Sequence, residues 1–172
     1  MLLAVDIGNT NITAGIFSGE DLRATWRMAT DVRRQGDEYA AMFLQLLDYN
    51  KLSRDDIDSG IISSVVPPLI GTFEGVLQKY FGVNPVVVGS SGTKTGIRIL
   101  YENPREVGAD RIAHAIAAYQ LYGGPLIIVD FGTATVFDAV NKGGDYLGGA
   151  IAPGINLAAE ALFERASKLP RI

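Results

Sequence analysis

Two carboxylates stand at the ends of apolar runs in nearly the same setting. Leu2-Leu3-Ala4-Val5-Asp6-Ile7-Gly8-Asn9-Thr10-Asn11 is echoed by Leu126-Ile127-Ile128-Val129-Asp130-Phe131-Gly132-Thr133-Ala134-Thr135. In each copy a strand-like run ends in Asp, one apolar residue, Gly, and then small hydroxyl or amide residues. A glycine-bearing tight turn of this kind can point backbone N–H groups and hydroxyls at a phosphate while the Asp holds its metal ion. The same residues also make a good β-turn with no further role. Two copies at matching strand ends argue for the phosphate role, and for a cleft that grips a nucleotide from both sides.

Other residues could complete a phosphoryl-transfer site. Asp6 would bind Mg²⁺ through water, because that ion keeps several of its waters. Asp110 sits at a helix start beside Gly108. There it favours the helix dipole by roughly 0.3–1 kcal/mol, or it acts as a general base for a substrate hydroxyl, a role contributing ~10²–10⁴-fold. Arg111 is either a solvated helix charge or a bidentate partner for a carboxylate. Asp130 and Thr133 could hold a cation that offsets phosphate charge, or Asp130 could be a second Mg²⁺ ligand; a bare carboxylate does not tell K⁺ from Mg²⁺. Tyr101, at a strand end, is a candidate substrate wall, although packing is the commoner role. Asp138 shares a strand face with Val136 and Val140 and receives no assignment. The lone His114, mid-helix, reads as structural. Gly89-Ser90-Ser91-Gly92-Thr93-Lys94-Thr95 lacks the adjacent Gly-Lys-Thr of a Walker A loop, and no G-x-G-x-x-G occurs.

These residues need a scaffold. Leu2–Ile7, Asn11–Phe17 and Asp21–Met28 read as successive strands, with Ser18-Gly19 as a hairpin turn. Tyr39, Met42, Phe43, Leu46 and Leu47 recur at three- and four-residue spacing and predict a helix over 37–49. Ser59–Val66 reads as a strand, Pro67-Pro68 opens a helix through Tyr80, and Pro85–Val88 is a buried strand. A Gly/Ser/Thr-rich loop carrying an extended piece, Ile97–Leu100, leads to a helix over 109–122. Gly123-Gly124-Pro125 ends that helix and marks a domain boundary. The hairpin pattern then restarts with Leu126–Asp130, Thr135–Val140 and Asp145–Ile151, followed by a helix over 155–168. The expected domains are therefore 1–123 and 124–172.

With 48% hydrophobic and 20% charged residues the 172-residue chain is globular, and long enough for one domain or two small ones. A net charge of −4 gives no footprint for nucleic acid or a membrane surface. The absence of cysteine excludes disulfides and thiol catalysis, and one histidine excludes a multi-histidine metal cluster. No run approaches the ~18 apolar residues of a transmembrane helix. The apolar N-terminus is broken by Asp6 and lacks a basic leader, so it reads as a strand and not a signal peptide. A cytoplasmic protein is expected.

A β-β-β-α-β-α unit written twice, each copy with an Asp-x-Gly hairpin, resembles the α/β, ribonuclease H-like fold of actin-like ATPases and sugar kinases. Four strings narrow this: Asp6 to Asn11, Asn103-Pro104-Arg105-Glu106-Val107-Gly108-Ala109-Asp110-Arg111, Asp130 to Thr135, and Gly148-Gly149-Ala150-Ile151-Ala152-Pro153-Gly154. In this order and spacing they resemble type III pantothenate kinase, which phosphorylates pantothenate with ATP in the first step of coenzyme A synthesis. The resemblance implies that Asp6, Ile7, Gly8, Asn9, Thr10, Asn11, Ile12, Thr13 and Thr133 contact ATP. It implies that Tyr101, Gly108, Ala109, Asp110 and Arg111 bind pantothenate, with Asp110 as proton acceptor. Asp130 would then be a ligand to a monovalent cation, K⁺ or NH₄⁺, and the protein a cytoplasmic homodimer. Members of that family continue well past the segment matching Leu169-Pro170-Arg171. The second unit is thus expected to be incomplete, and this piece weakly active or inactive alone. The competing readings are a kinase for another small acid or sugar, a polyphosphate-type phosphatase, and a non-catalytic actin-like regulator that binds nucleotide. The Gly108-to-Arg111 string favours pantothenate, and the joint presence of Asp6, Asp110, Arg111 and Asp130 favours an enzyme.

Overall fold

The computed structural model describes residues 1–166, Arg105 for its backbone only. Its backbone divides into two compact units, 1–94 with 108–110 and 95–107 with the described residues from 111 onward. The sequence punctuation suggested a division at 123/124; the contacts group 111–122 with the second sheet.

In the first unit, β1 (Leu2–Ile7), β2 (Asn11–Ser18) and β3 (Asp21–Ala29) form an antiparallel meander. The strands β4 (Ser59–Ser64) and β5 (Val86–Val87) add in parallel, giving the order β3-β2-β1-β4-β5. The crossovers are α1 (Gly36–Tyr49) and α2 (Pro67–Phe81). Strand periodicity sends Leu3, Val5 and Ile7 into the core and leaves Asp6 exposed on the other face. Tyr39 and Phe43 of α1 meet Phe73 of α2 with ring centroids 4.8 and 6.0 Å apart, closing a continuous apolar core. Each fully buried side chain of this size contributes about 1.5–3 kcal/mol. At the start of α1 the Glu38 carboxylate accepts the Gln35 N–H at 2.8 Å. The strand expected to reach Val66 ends at Ser64, and Pro67 opens α2 with Val66 as its non-helical cap.

In the second unit, β6 (Leu126–Phe131), β7 (Ala134–Val140) and β8 (Tyr146–Pro153) form an antiparallel sheet in that order. Its helices are α3 (Ala109–Tyr122), which belongs to this unit from Arg111 onward, and α4 (Ile155–Arg165). The expected helix extended to Lys168; residues 167 and 168 lie outside the described residues. The extended piece Ile97–Leu100 becomes an edge to β8. Ile99 bridges Tyr146 in parallel, the Leu100 N–H donates to the Tyr146 carbonyl at 2.8 Å, and the Tyr146 N–H donates to Arg98 at 2.9 Å. Arg98 locks this edge with a fork-on-fork pair to Asp145, Nε to Oδ1 at 2.7 Å and Nη2 to Oδ2 at 2.8 Å. Hydrogen bonds from Arg98 and then Asn141 hold the Asp145 carboxyl below its ordinary range. Among the described residues no helix is long and apolar enough to cross a membrane.

Candidate functional site

The first hairpin is braced by main chain and core. The Gly8 N–H donates to the Asn11 carbonyl at 2.9 Å, closing a turn whose tip is Asn9-Thr10. Thr30 ties the tip to β3, its Oγ1 donating to the Gly8 carbonyl at 2.6 Å and its N–H to the Thr10 carbonyl at 3.0 Å. On the far side the Val65 N–H donates to the Ile7 carbonyl at 3.0 Å. Asn9 and Thr10 are exposed, as a ligand-facing tip requires. Ile7 and Ile12 are completely buried on the core side, so of the expected ATP contacts these two could contribute through main chain alone.

Asp6 stands in register between Thr13 of β2 and Ser63 of β4, so the three side chains share one face. The Ser63 hydroxyl is buried and has no hydrogen-bond partner among the described residues. A buried, unpaired hydroxyl needs an explanation, and its place beside Asp6 suits a site that acquires polar atoms from a ligand. Sequence reasoning passed over Ser63. The available signal was a serine pair, Ser63-Ser64, at the end of the parallel strand next to β1.

The Asp110 segment belongs to the same unit. Gly108, Ala109 and Asp110 group with residues 1–94. Gly108 lies against Val65, where an added Cβ would sit 3.3 Å from that side chain and 2.5 Å from Asp110 Oδ1. Val65 is in turn bonded to Ile7, next to Asp6. The first unit therefore carries Asp6, Thr13, Ser63 and the Asp110 segment on connected pieces of backbone.

The second unit holds the other expected residues. Its hairpin is closed by the Gly132 N–H to the Ala134 carbonyl at 2.9 Å, and the Gly154 N–H at the start of α4 donates to the Thr133 carbonyl at 3.1 Å. Gly154 has no room for a Cβ, which would overlap the carbonyl oxygens of Gly132 and Thr133. Asp130 is half-buried on β6 and Thr133 is exposed at the turn. No group of three His, Cys, Asp or Glu side chains able to cage a metal occurs among the described residues. Single carboxylates at Asp6 and Asp130 suit ions completed by phosphate oxygens and water, which is how Mg²⁺ is usually held.

Arg111 is held by a buried carboxylate, Asp138, that sequence reasoning left without a role. Asp138 Oδ1 accepts from Arg111 Nε at 2.9 Å, from Arg111 Nη2 at 2.6 Å and from the Tyr146 hydroxyl at 2.7 Å. The Arg111 guanidinium lies 5.8 Å above the Tyr146 ring. Burial first, and then the bond to Asp138, pushes the Tyr146 hydroxyl pKa well above its ordinary value. Tyr101 packs on Gly148, where an added Cβ would sit 2.9 Å from the ring. The expected substrate-binding set is thus divided, with Gly108, Ala109 and Asp110 in the first unit and Tyr101 and Arg111 in the second.

Comparisons with known proteins give the family from one source and the fold from another. A model of the family described as type III pantothenate kinase matches residues 2–172. Among solved structures, the chain is similar to the ethanolamine utilization protein EutJ from Carboxydothermus hydrogenoformans. That match has a TM-score of 0.53 and 15% identity, covering 98% of this chain and 57% of that one. It is also similar to a putative 2-dehydro-3-deoxygalactonokinase from Sinorhizobium meliloti, with a TM-score of 0.52 and 12% identity over 98% of this chain and 57% of that one. An activator of 2-hydroxyisocaproyl-CoA dehydratase from Clostridium difficile, with bound ADPNP, matches at a TM-score of 0.51 and 15% identity over 88% and 45%. At such identities the likeness shows the fold alone, the actin-like ATPase and sugar-kinase architecture that the repeated unit led one to expect. The chain spans about half the length of these structures.

Proposed function

Because the chain belongs to the type III pantothenate kinase family, we propose that the protein carrying it transfers the γ-phosphoryl group of ATP to the primary hydroxyl of pantothenate. The products are 4′-phosphopantothenate and ADP, which would make the reaction the first step of coenzyme A synthesis. A bond forms between the hydroxyl oxygen and the γ-phosphorus, and the bond to the β-phosphate oxygen breaks. The hydroxyl proton passes to the Asp110 carboxylate. The observation that carries this reading is the attachment of the Asp110 segment, through Gly108 and Val65, to the end of the strand that bears Asp6. A phosphate-side carboxylate and a candidate base on one connected framework are what in-line transfer needs.

The remaining roles follow from the donor set. The exposed Asn9-Thr10 tip and the Thr13–Asp6–Ser63 row are the ATP-side groups, with Asp6 holding Mg²⁺ through water. Bound Mg²⁺ supplies neutralisation of phosphate charge. Thr133 is a further ATP contact, and Asp130 a ligand to a monovalent cation, K⁺ or NH₄⁺. Tyr101 walls the acceptor and Arg111 engages its carboxylate. The reading also carries a cytoplasmic homodimer. In a coupled ADP-release assay on the full-length protein, Asp110→Asn is expected to lower kcat by about 10²–10⁴-fold with pantothenate as acceptor. Near-normal turnover by that variant would remove Asp110 as the base, and no turnover by the parent on pantothenate would remove the substrate.

A further inference from the structure

The Arg111–Asp138–Tyr146 cluster is more elaborate than fold stability requires. Asp138 is 1% exposed, Tyr146 is 1% exposed, and the Arg111 side chain is 17% exposed. A buried ion pair loses on desolvation most of what it gains by attraction, and apolar residues of the same volume commonly serve stability as well or better. What such residues could not do is fix the plane of a guanidinium. Here Nε and Nη2 both donate to Asp138 Oδ1, the Tyr146 ring lies under the guanidinium, and Tyr146 itself bonds the same oxygen. Gly149 closes the arrangement: an added Cβ would lie 2.6 Å from both Arg111 Nη2 and Asp138 Oδ1. An arginine held this way has already lost most of its rotamer freedom before a ligand arrives.

We infer that Asp138 and Tyr146 are positioning residues that set the Arg111 guanidinium for the carboxylate of an acid substrate, so that recognition of that carboxylate depends on Asp138. This rests on the proposed role of Arg111 in binding pantothenate. The three residues come from α3, β7 and β8, and the neighbour of Gly149, Gly148, carries the Tyr101 ring. Substrate wall, guanidinium and positioning carboxylate thus meet at one end of β8.

The test compares the full-length protein with Asp138→Asn, Tyr146→Phe and Arg111→Ala variants. Each is assayed with pantothenate and with its carboxylate-free alcohol analogue. Asp138→Asn is expected to raise KM for pantothenate by about tenfold, the usual scale for unpairing a buried charged hydrogen bond, with kcat changed less than about threefold. Turnover of the alcohol analogue should barely change. Tyr146→Phe keeps the ion pair and should move KM the same way by about threefold; it carries the test if Asp138→Asn does not fold. Equal losses on both substrates would mean that the cluster is only structural, and would overturn the inference. An unchanged KM in Asp138→Asn beside a raised KM in Arg111→Ala would overturn it while leaving the role of Arg111 intact. An unchanged KM in Arg111→Ala would sink that role, and the inference with it.

Discussion

The strands that lead into the two hairpins match residue for residue, yet their side chains meet opposite surroundings. Leu3, Val5 and Ile7 are 1%, 2% and 0% exposed, whereas Ile127, Val129 and Phe131, at the matching places before and after Asp130, are 65%, 41% and 69% exposed. In the first unit the odd-numbered side chains of β1 enter the apolar core with α1 and α2. In the second, the buried residues of β7 and β8 include Asp138 and Tyr146, bonded to each other and to Arg111 of α3. An apolar run ending in Asp-x-Gly therefore locates a turn without naming the force that holds it. The first turn rests on main-chain bonds backed by core packing, and the second on main-chain bonds and a close glycine contact, with an ion pair farther along its sheet.

The comparison is broken most directly by truncating matched side chains. Ile7→Ala removes a fully buried side chain beside Asp6 and is expected to cost about 2–5 kcal/mol. Phe131→Ala, at the equivalent position, should stay within about 0.5 kcal/mol despite deleting more atoms. Urea melts of both variants would decide it. A Phe131 loss as large as that at Ile7 would end the claim that the two hairpins are held differently.

A smaller effect separates the units by pH. The Arg98–Asp145 pair fastens the edge segment to β8, and the folded Asp145 carboxyl titrates below its ordinary value of 3.8. A carboxyl whose folded pKa is depressed adds stability that is complete above the unfolded value and is lost as pH falls through the folded one. Below pH 3.8 the amides of residues 98–100 and 141–146 should therefore lose hydrogen-exchange protection, corrected for intrinsic rate, before those of β1 and β4. The lowered carboxyls of the first unit, Asp31, Asp37 and Asp58, lie outside its apolar core. Asp145→Asn should weaken the edge at neutral pH and abolish its acid step; an acid step that survives the substitution would assign it to another group.

Sequence reasoning read the local patterns and missed the long-range ones. Period-two burial in β1 and period-3.6 burial in α1 depend only on neighbouring residues, so those elements fall within a residue or two of expectation. Pro67-Pro68 marks the start of α2 for an equally local reason. The partner of Asp138 lies 27 residues away on α3, and nothing local announces it. The signal was the carboxylate itself, placed between Val136 and Val140 on a strand face where an unpaired charge is not tolerated. The same argument would have raised Ser63, which lies in register with Asp6 only once β4 is paired in parallel with β1. Glycine and proline at 123–125 punctuate the chain locally, while α3 from Arg111 onward groups with the second sheet.

The smallest expected effect is the sharpest probe of the exposed face. Val129→Thr keeps the β-branched shape and strand preference while replacing a methyl with a hydroxyl. On a side chain 41% exposed, that hydroxyl stays hydrated, and the change should lie within about 0.5 kcal/mol. The same substitution at Val5, 2% exposed, buries a hydroxyl in an apolar core and should cost about 1–3 kcal/mol. Thermal melts at two protein concentrations read both the size of the effect and its origin. A loss above about 1 kcal/mol at Val129 that grows with concentration would mean association covers this face. The contrast between the hairpins would then be one between an internal and an external partner for the same kind of surface.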